Sequence, residues 1–159
     1  MVSISVNGVQ HSLDVTPDTP LLAVTFWNGS YAGMVADVSM NNKTPKVHRV
    51  VAVVDCGTVV NPDIVIQQAQ GATNYGLSAA LTGKITIANG RVVQNNFYDY
   101  TVLRMADAPR IEVHIVPSTA RPAGIGEVCT PPIAPAVGNA VFALTGKRVR
   151  TLPFSDALA

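Results

Sequence analysis

Glu127 is the residue best placed to do chemistry. It lies in Gly124-Ile-Gly-Glu-Val-Cys-Thr-Pro-Pro-Ile-Ala-Pro135, a single carboxylate set among glycines and prolines in an otherwise apolar stretch. Gly124 and Gly126 let the backbone approach a ligand closely, and the prolines that follow stiffen the loop carrying the side chain. A carboxylate held in this way suits a general base. A Gly-x-Gly-Glu turn is more often a solvated loop than a catalytic one, so spacing alone does not establish the role. A helical pattern over 134–145 begins directly afterwards and stops at Gly146-Lys147-Arg148, which puts Glu127 in a loop feeding a helix N-terminus. Cys129 shares that loop, where amide dipoles would lower its pKa, but a nucleophilic cysteine needs a base and no histidine is near it in sequence.

The remaining polar candidates carry less. Asp55-Cys56-Gly57 follows a valine-rich run with no second ligand at metal-binding spacing, so Cys56 reads as a buried structural thiol. His11, His48 and His114 lie on expected strands without a shared spacing, as partly exposed strand residues do. Arg104 follows Phe97-Tyr-Asp-Tyr100, which reads as an aromatic-rich strand, and is expected to make a surface or inter-subunit ion pair, with Asp99 or Asp107 as candidate partners. Lys147, Arg148 and Arg150 read as the favourable cationic end of a helix. By spacing, Gln68 is a helix-surface amide.

These residues need elements to position them. The alternation in 2–14 around Asn7-Gly8 predicts a hairpin. Tyr31 to Met40 and Lys46 to Asp55, joined by Asn41-Asn42-Lys43-Thr44-Pro45, predict a second. Asn61-Pro62-Asp63 stops that strand and caps a helix running from Ile64 to Leu81, whose Ile64, Ile66, Ala69, Ala72, Leu77 and Ala80 suit burial and whose Gly71 and Gly76 allow close packing. A third hairpin, 84–88 with 91–95, turns at Asn89-Gly90, and a strand covers 111–117 with Val113 and Ile115 on one face and Glu112, His114 and Val116 on the other. The expected class is α+β, with antiparallel hairpins in mixed sheets packed by two main helices, 64–81 and 134–145.

Composition bounds the function. The 159 residues are 48% hydrophobic and only 13% charged, enough for a sizeable core and consistent with apolar surface that meets a partner. A formal net charge of +1 with scattered basic residues gives no case for nucleic acid. No apolar run reaches membrane-span length, no signal-peptide pattern opens the chain, and two isolated cysteines suit a cytoplasmic setting.

Over residues 26–154 the chain resembles the C-terminal end of the molybdenum-binding subunit of the xanthine oxidase family of molybdenum hydroxylases, of the isoquinoline 1-oxidoreductase and aldehyde oxidoreductase type. The resemblance is carried by Asn28-Gly-Ser-Tyr31, Val50-Val-Ala-Val-Val-Asp-Cys-Gly57, Gln68-Ala-Gln-Gly71, Tyr75-Gly-Leu-Ser-Ala-Ala-Leu81, Leu103-Arg-Met105, Ile111-Glu-Val-His-Ile115 and the Gly124–Pro135 loop. One departure lies beside the glutamate, where Val128-Cys129 replaces the family's Pro-Gly. Residues 1–24, with Pro17-Asp-Thr-Pro20, resemble instead the start of the iron-sulfur subunit, so the chain divides as 1–24 and 25–159, like the beginning of one subunit joined to the end of another. A [2Fe–2S] cluster is not expected, since it needs four cysteine thiolates and the chain has two cysteines.

The resemblance implies hydroxylation of N-heteroaromatics or aldehydes with water as oxygen source, with Glu127 as the general base, ionised yet partly desolvated. It implies molybdopterin as cofactor, near Gln68 and Gly71, with Gly124 and Gly126 holding the glutamate loop or donating amides, and no protein ligand to the metal. Because the segments that would grip the rest of the cofactor have no counterpart here, the isolated chain is expected to lack it. A second class of reading is a non-catalytic remnant or assembly module that keeps the fold without the cofactor. In either case the expected partners are a second copy of the chain or other subunits of a molybdenum hydroxylase.

Overall fold

The protein is described here by a computed structural model, which covers the backbone of residues 2–6, 9–13 and 23–27 and all of residues 29–158. Strands β1 (Val2–Val6) and β2 (Val9–Leu13) pair antiparallel, in register from Val2 with Leu13 to Val6 with Val9, as the alternation predicts. Their Asn7-Gly8 turn and the 14–22 segment lie outside the described residues.

The main sheet has four strands in the order β3 (Ala23–Trp27), β4 (Ser30–Asn41), β5 (Thr44–Asp55) and β8 (Arg110–Ile115). β4 and β5 form the expected long hairpin, turning where Asn42 takes φ 56°, a conformation asparagine tolerates better than most residues. A β-bulge lies between Asp37 and Val38, so the two ends of the hairpin twist differently. The Lys84–Asn95 hairpin contracts to two-residue strands, β6 (Ile87–Ala88) and β7 (Arg91–Val92), around Asn89-Gly90, both with positive φ as the tight turn requires.

β8 joins the sheet parallel to β5, from Arg49 beside Arg110 to Val54 beside Ile115. Parallel neighbours need a crossover, and helix α1 (Pro62–Thr82) supplies it. Asn61 caps α1 as its sequence predicts, its side-chain oxygen accepting from the Ile64 amide at 3.3 Å. Helix α2 (Ile133–Thr145) ends at Gly146, whose φ of 70° closes it with an amide bond to the Phe142 carbonyl at 2.7 Å. A short α3 (Phe154–Ala157), not expected from sequence, drives Phe154 into the core.

Both long helices pack on one face of the sheet. Val50, Ala52 and Val54 of β5 meet Ala69, Leu77, Val137 and Val141 there, while Ile111, Val113 and Ile115 of β8 join from the edge. On the opposite face Val116 packs on Val35, Val51 and Val53. Beside that cluster, Arg49 grips Glu112 with two nitrogens at 2.9 and 2.7 Å, and Arg110 reaches the same carboxylate at 3.2 Å.

Three sequence expectations change. Ile64 is 53% exposed, because α1 lies on the surface and buries one stripe, Val65, Ala69, Ala72, Thr73, Gly76, Leu77 and Ala80. Phe97–Tyr100 forms turns, not a strand: Asp99 accepts from the backbone amides of Asn95 and Asn96 at 2.9 to 3.0 Å, folding the chain back on itself. Arg104 makes no ion pair among the described residues, since Asp99 is taken by those amides and Asp107 by Lys46 at 3.0 Å.

Candidate functional site

The glutamate loop is fixed along its length. Past β8, the Val116 amide bonds the Val54 carbonyl at 2.8 Å, Thr58 donates to the Ala120 carbonyl at 2.9 Å, and the Ala123 amide donates to Cys56 at 2.9 Å. Gly57, with φ 74°, makes this possible: a Cβ there would lie 2.2 Å from the Arg121 carbonyl. Buried Ser30 donates to the Gly124 carbonyl at 2.6 Å. The chain then turns at 127–130, where the Thr130 amide bonds the Glu127 carbonyl at 2.8 Å, and the Thr130 hydroxyl reaches the Ala72 carbonyl of α1 at 3.3 Å.

Val128 and Cys129, the two residues that depart from the family pattern, are both buried. They anchor the turn from below while Glu127 stays exposed above it. The expectation that Cys129 is activated is corrected: burial in the apolar core pushes its thiol up to about 12, out of reach of nucleophilic chemistry at neutral pH. Cys56 is buried as expected, and burial, with Asp55 adding to it, raises its pKa.

Residues Gln67, Gln68, Gly71, Ala72 and Tyr75 of α1 and Gly126, Glu127, Thr130 and Pro131 of the loop line one cleft of about 690 Å³. Four of the five residues singled out from sequence, Gln68, Gly71, Gly126 and Glu127, therefore meet at one place. The fifth, Gly124, does not line the cleft, and its carbonyl acts as the loop's tether to Ser30. The loop and helix approach closely: a Cβ on Gly126 would stand 3.7 Å from the Gln68 side-chain oxygen.

The two helix glycines differ. Gly76 is needed for packing, because a Cβ there would lie 2.3 Å from the Thr130 carbonyl and 2.8 Å from Ile133. At Gly71 a Cβ would meet nothing within 4 Å, so the close-packing role expected for this glycine is not what the chain uses it for. Glu127 is exposed, and among the described residues its carboxylate accepts no hydrogen bond, so the described residues do not supply the desolvation expected of a general base. Sequence reasoning did not connect Tyr75 with this cleft; its position one turn beyond Gly71 was the available signal.

A molybdenum pterin can be tested against these residues. Gly71 leaves bare helix backbone open to the cleft, Gly126 keeps the facing loop free of a side chain, and Gln68 offers an amide that both donates and accepts. Among the described residues no cluster of three His, Cys, Asp or Glu could hold a metal. No helix among the described residues is long and apolar enough to cross a membrane.

Comparison with known proteins agrees. The family model of the molybdopterin cofactor-binding domain matches residues 5–109. The chain is 39% identical over 140 residues, 87% of its length, to isoquinoline 1-oxidoreductase subunit beta of Brevundimonas diminuta, of which it covers 18%. It is 41% identical over 125 residues, 77% of its length, to the membrane-bound aldehyde dehydrogenase (pyrroloquinoline-quinone) of Gluconacetobacter polyoxogenes, covering 16% of that protein. Among solved structures, quinoline 2-oxidoreductase from Pseudomonas putida 86 superposes with a TM-score of 0.71 at 25% identity, over 78% of this chain and 17% of the other. The chain thus spans less than a fifth of the length of these relatives. It belongs to the molybdopterin cofactor-binding domain family, within the molybdenum hydroxylases.

Proposed function

We propose that this chain forms one wall of a molybdopterin site in an oxidoreductase that hydroxylates N-heteroaromatics or aldehydes with water, and that Glu127 is its general base. The reading rests on one observation above all, the meeting of Gln68, Gly71, Gly126 and Glu127 along a single cleft. When bound, the molybdenum pterin supplies the two-electron redox step that carbon hydroxylation requires.

The chain's own residues do the rest. Glu127 accepts the proton released as the water-derived oxygen is delivered to carbon. Gln68 hydrogen-bonds the polar edge of the bound group, Gly71 and Gly126 let that group lie against backbone, and Gly124 holds the loop through Ser30. Glu127 becomes desolvated only when the cleft is closed by other parts of the enzyme or a partner, and relatives named as subunits, such as isoquinoline 1-oxidoreductase subunit beta, supply the precedent for partners. A second copy of the chain is the simplest alternative cover. No iron-sulfur cluster is assigned to this chain, whose two cysteines are both buried. The division near residues 24 and 25 stays part of the proposal, supported by the β1–β2 hairpin being a sheet of its own; that boundary falls inside β3 (Ala23–Trp27), which belongs to the main sheet.

The test is Glu127→Gln in a cofactor-loaded enzyme containing this chain. Turnover is expected to fall by ~10²–10⁴-fold with folding unchanged, because the amide cannot take the proton. Wild-type turnover in the variant would remove Glu127 from the mechanism. The second reading, a module that keeps the fold and binds no cofactor, draws on the exposure of Glu127 and the openness of its cleft. Stoichiometric molybdenum in the purified protein, measured by plasma mass spectrometry, would exclude it.

A further inference from the structure

The open face of α1 carries a second feature beside Glu127. Gln68, Gly71 and Tyr75 follow one another at spacings of three and four, so they form one stripe along the helix, away from the buried one. Glycine in a helix interior weakens it relative to alanine, so its presence calls for a reason. Gly76 has that reason inside the chain, in the Thr130 carbonyl that a Cβ would strike; Gly71 has none among the described residues.

Tyr75 is 76% exposed, a large ring standing one turn beyond the bare backbone of Gly71. It borders two clefts. One is the 690 Å³ cleft of Glu127; the other, of about 630 Å³, is walled by Phe97, Tyr100, Leu103 and Met105. Gly71 and Tyr75 line both. The second wall is tied to α1 by the Leu103 amide donating to Ser78 at 3.0 Å and by the Thr82 hydroxyl donating to the Thr101 carbonyl at 2.9 Å, so the two clefts keep a fixed relation.

We propose that Gly71 and Tyr75 form a stacking seat for a planar heteroaromatic ring, in which Tyr75 is the positioning residue that orients the ring on the helix beside Glu127. The missing Cβ at residue 71 leaves the helix backbone bare on the floor of the clefts. The phenol ring gives an aromatic wall, which favours offset or edge-on contact with a flat π-system over contact with an aliphatic group. The proposal deepens the function given above and rests on it for the ring's purpose. Two sources share this chemistry, the pterin of the cofactor and a heteroaromatic substrate.

Titration of the purified chain with xanthopterin and, separately, with isoquinoline, followed by ligand-observed NMR, tests the seat without any turnover. At least one ring is expected to bind saturably. Tyr75→Ala should weaken it by about tenfold and Tyr75→Phe by little, since the stacking surface survives. Gly71→Ala should weaken it too while raising the melting temperature of the free protein, a combination that a structural role for Gly71 would not give. Binding of xanthopterin alone assigns the seat to the cofactor, and binding of isoquinoline alone assigns it to substrate. Absence of saturable binding for both, or unchanged affinity in Tyr75→Ala, overturns the proposal. The seat is read by binding to the purified chain and the general base by turnover of the cofactor-loaded enzyme, so failure of the general-base role and failure of the seat would be told apart.

Discussion

The two faces of α1 use similar residues for opposite ends. Toward the loop, Gly76, Ala72 and Leu77 let the 127–133 segment sit so close that no Cβ fits at residue 76. Toward the clefts, Gly71, Gln68 and Tyr75 make little use of the chain's own packing and remain exposed. One face spends its small residues on internal contact, while the other keeps them free for something outside the chain. The glutamate loop repeats the division within three residues: Glu127 points out, and Val128 and Cys129 hold the turn down.

The largest effect should come from the open side: on the proposed general-base role, Glu127→Gln should cost ~10²–10⁴-fold in the turnover of a cofactor-loaded enzyme and nothing measurable in stability. A stability loss comparable to that of a core substitution would break the division, because it would mean that the exposed carboxylate supports the fold. On the closed side, Leu77→Ala should destabilise by about 2–5 kcal/mol in urea titrations, as large-to-small changes at fully buried sites do. A cost below about 1 kcal/mol would show that the closed face is loosely packed.

Smaller effects should follow pH. The Cys129 thiol is neutral in the fold up to about 12, against 9.0 for a free thiol. Its folded value is raised, so its contribution is fully present below pH 9 and is lost as pH rises from 9 toward 12, by up to about 1.4 kcal/mol per pH unit. Thermal melts of wild type and Cys129→Ala, compared across that range, should converge as pH rises; parallel curves would mean that the thiol is not held in the core. At the acid end, hydrogen bonding to Arg49, and the charges of Arg49 and Arg110, hold Glu112 below 4.5. Its folded value is lowered, so its contribution is present above 4.5 and is lost as pH falls through the folded value. Glu112→Gln should therefore flatten the acid limb of the stability profile slightly, and should do so without altering the cleft, which lies across the sheet.

Much of this was legible in sequence where the signal is local. Asn61-Pro62-Asp63 named the start of α1, Gly146 the end of α2, and Asn89-Gly90 a hairpin, because caps and tight turns are decided within a few residues. The loop around Glu127 was legible for the same reason. The parallel pairing of β8 was not, since it depends on a crossover of more than fifty residues. The aromatic run at 97–100 looked like a strand, and the carboxylate of Asp99 turned it by capturing amides upstream. Cys129 was misread because its pKa is set by burial, which only the packed fold decides. Gly71 and Gly76 looked alike as letters; what separates them is the Thr130 carbonyl, fifty-four positions further along the chain.

That contrast is also the most direct test. Thermal unfolding of Gly71→Ala and Gly76→Ala, side by side with wild type, asks whether the two faces of α1 differ as described. The account predicts opposite signs: Gly71→Ala more stable by about 0.5–1 kcal/mol, from better helix propensity in open space, and Gly76→Ala less stable by about 1–3 kcal/mol, from a Cβ forced against backbone. If both variants lose stability alike, residue 71 is packed by the chain itself, and the open face is not reserved for a ligand.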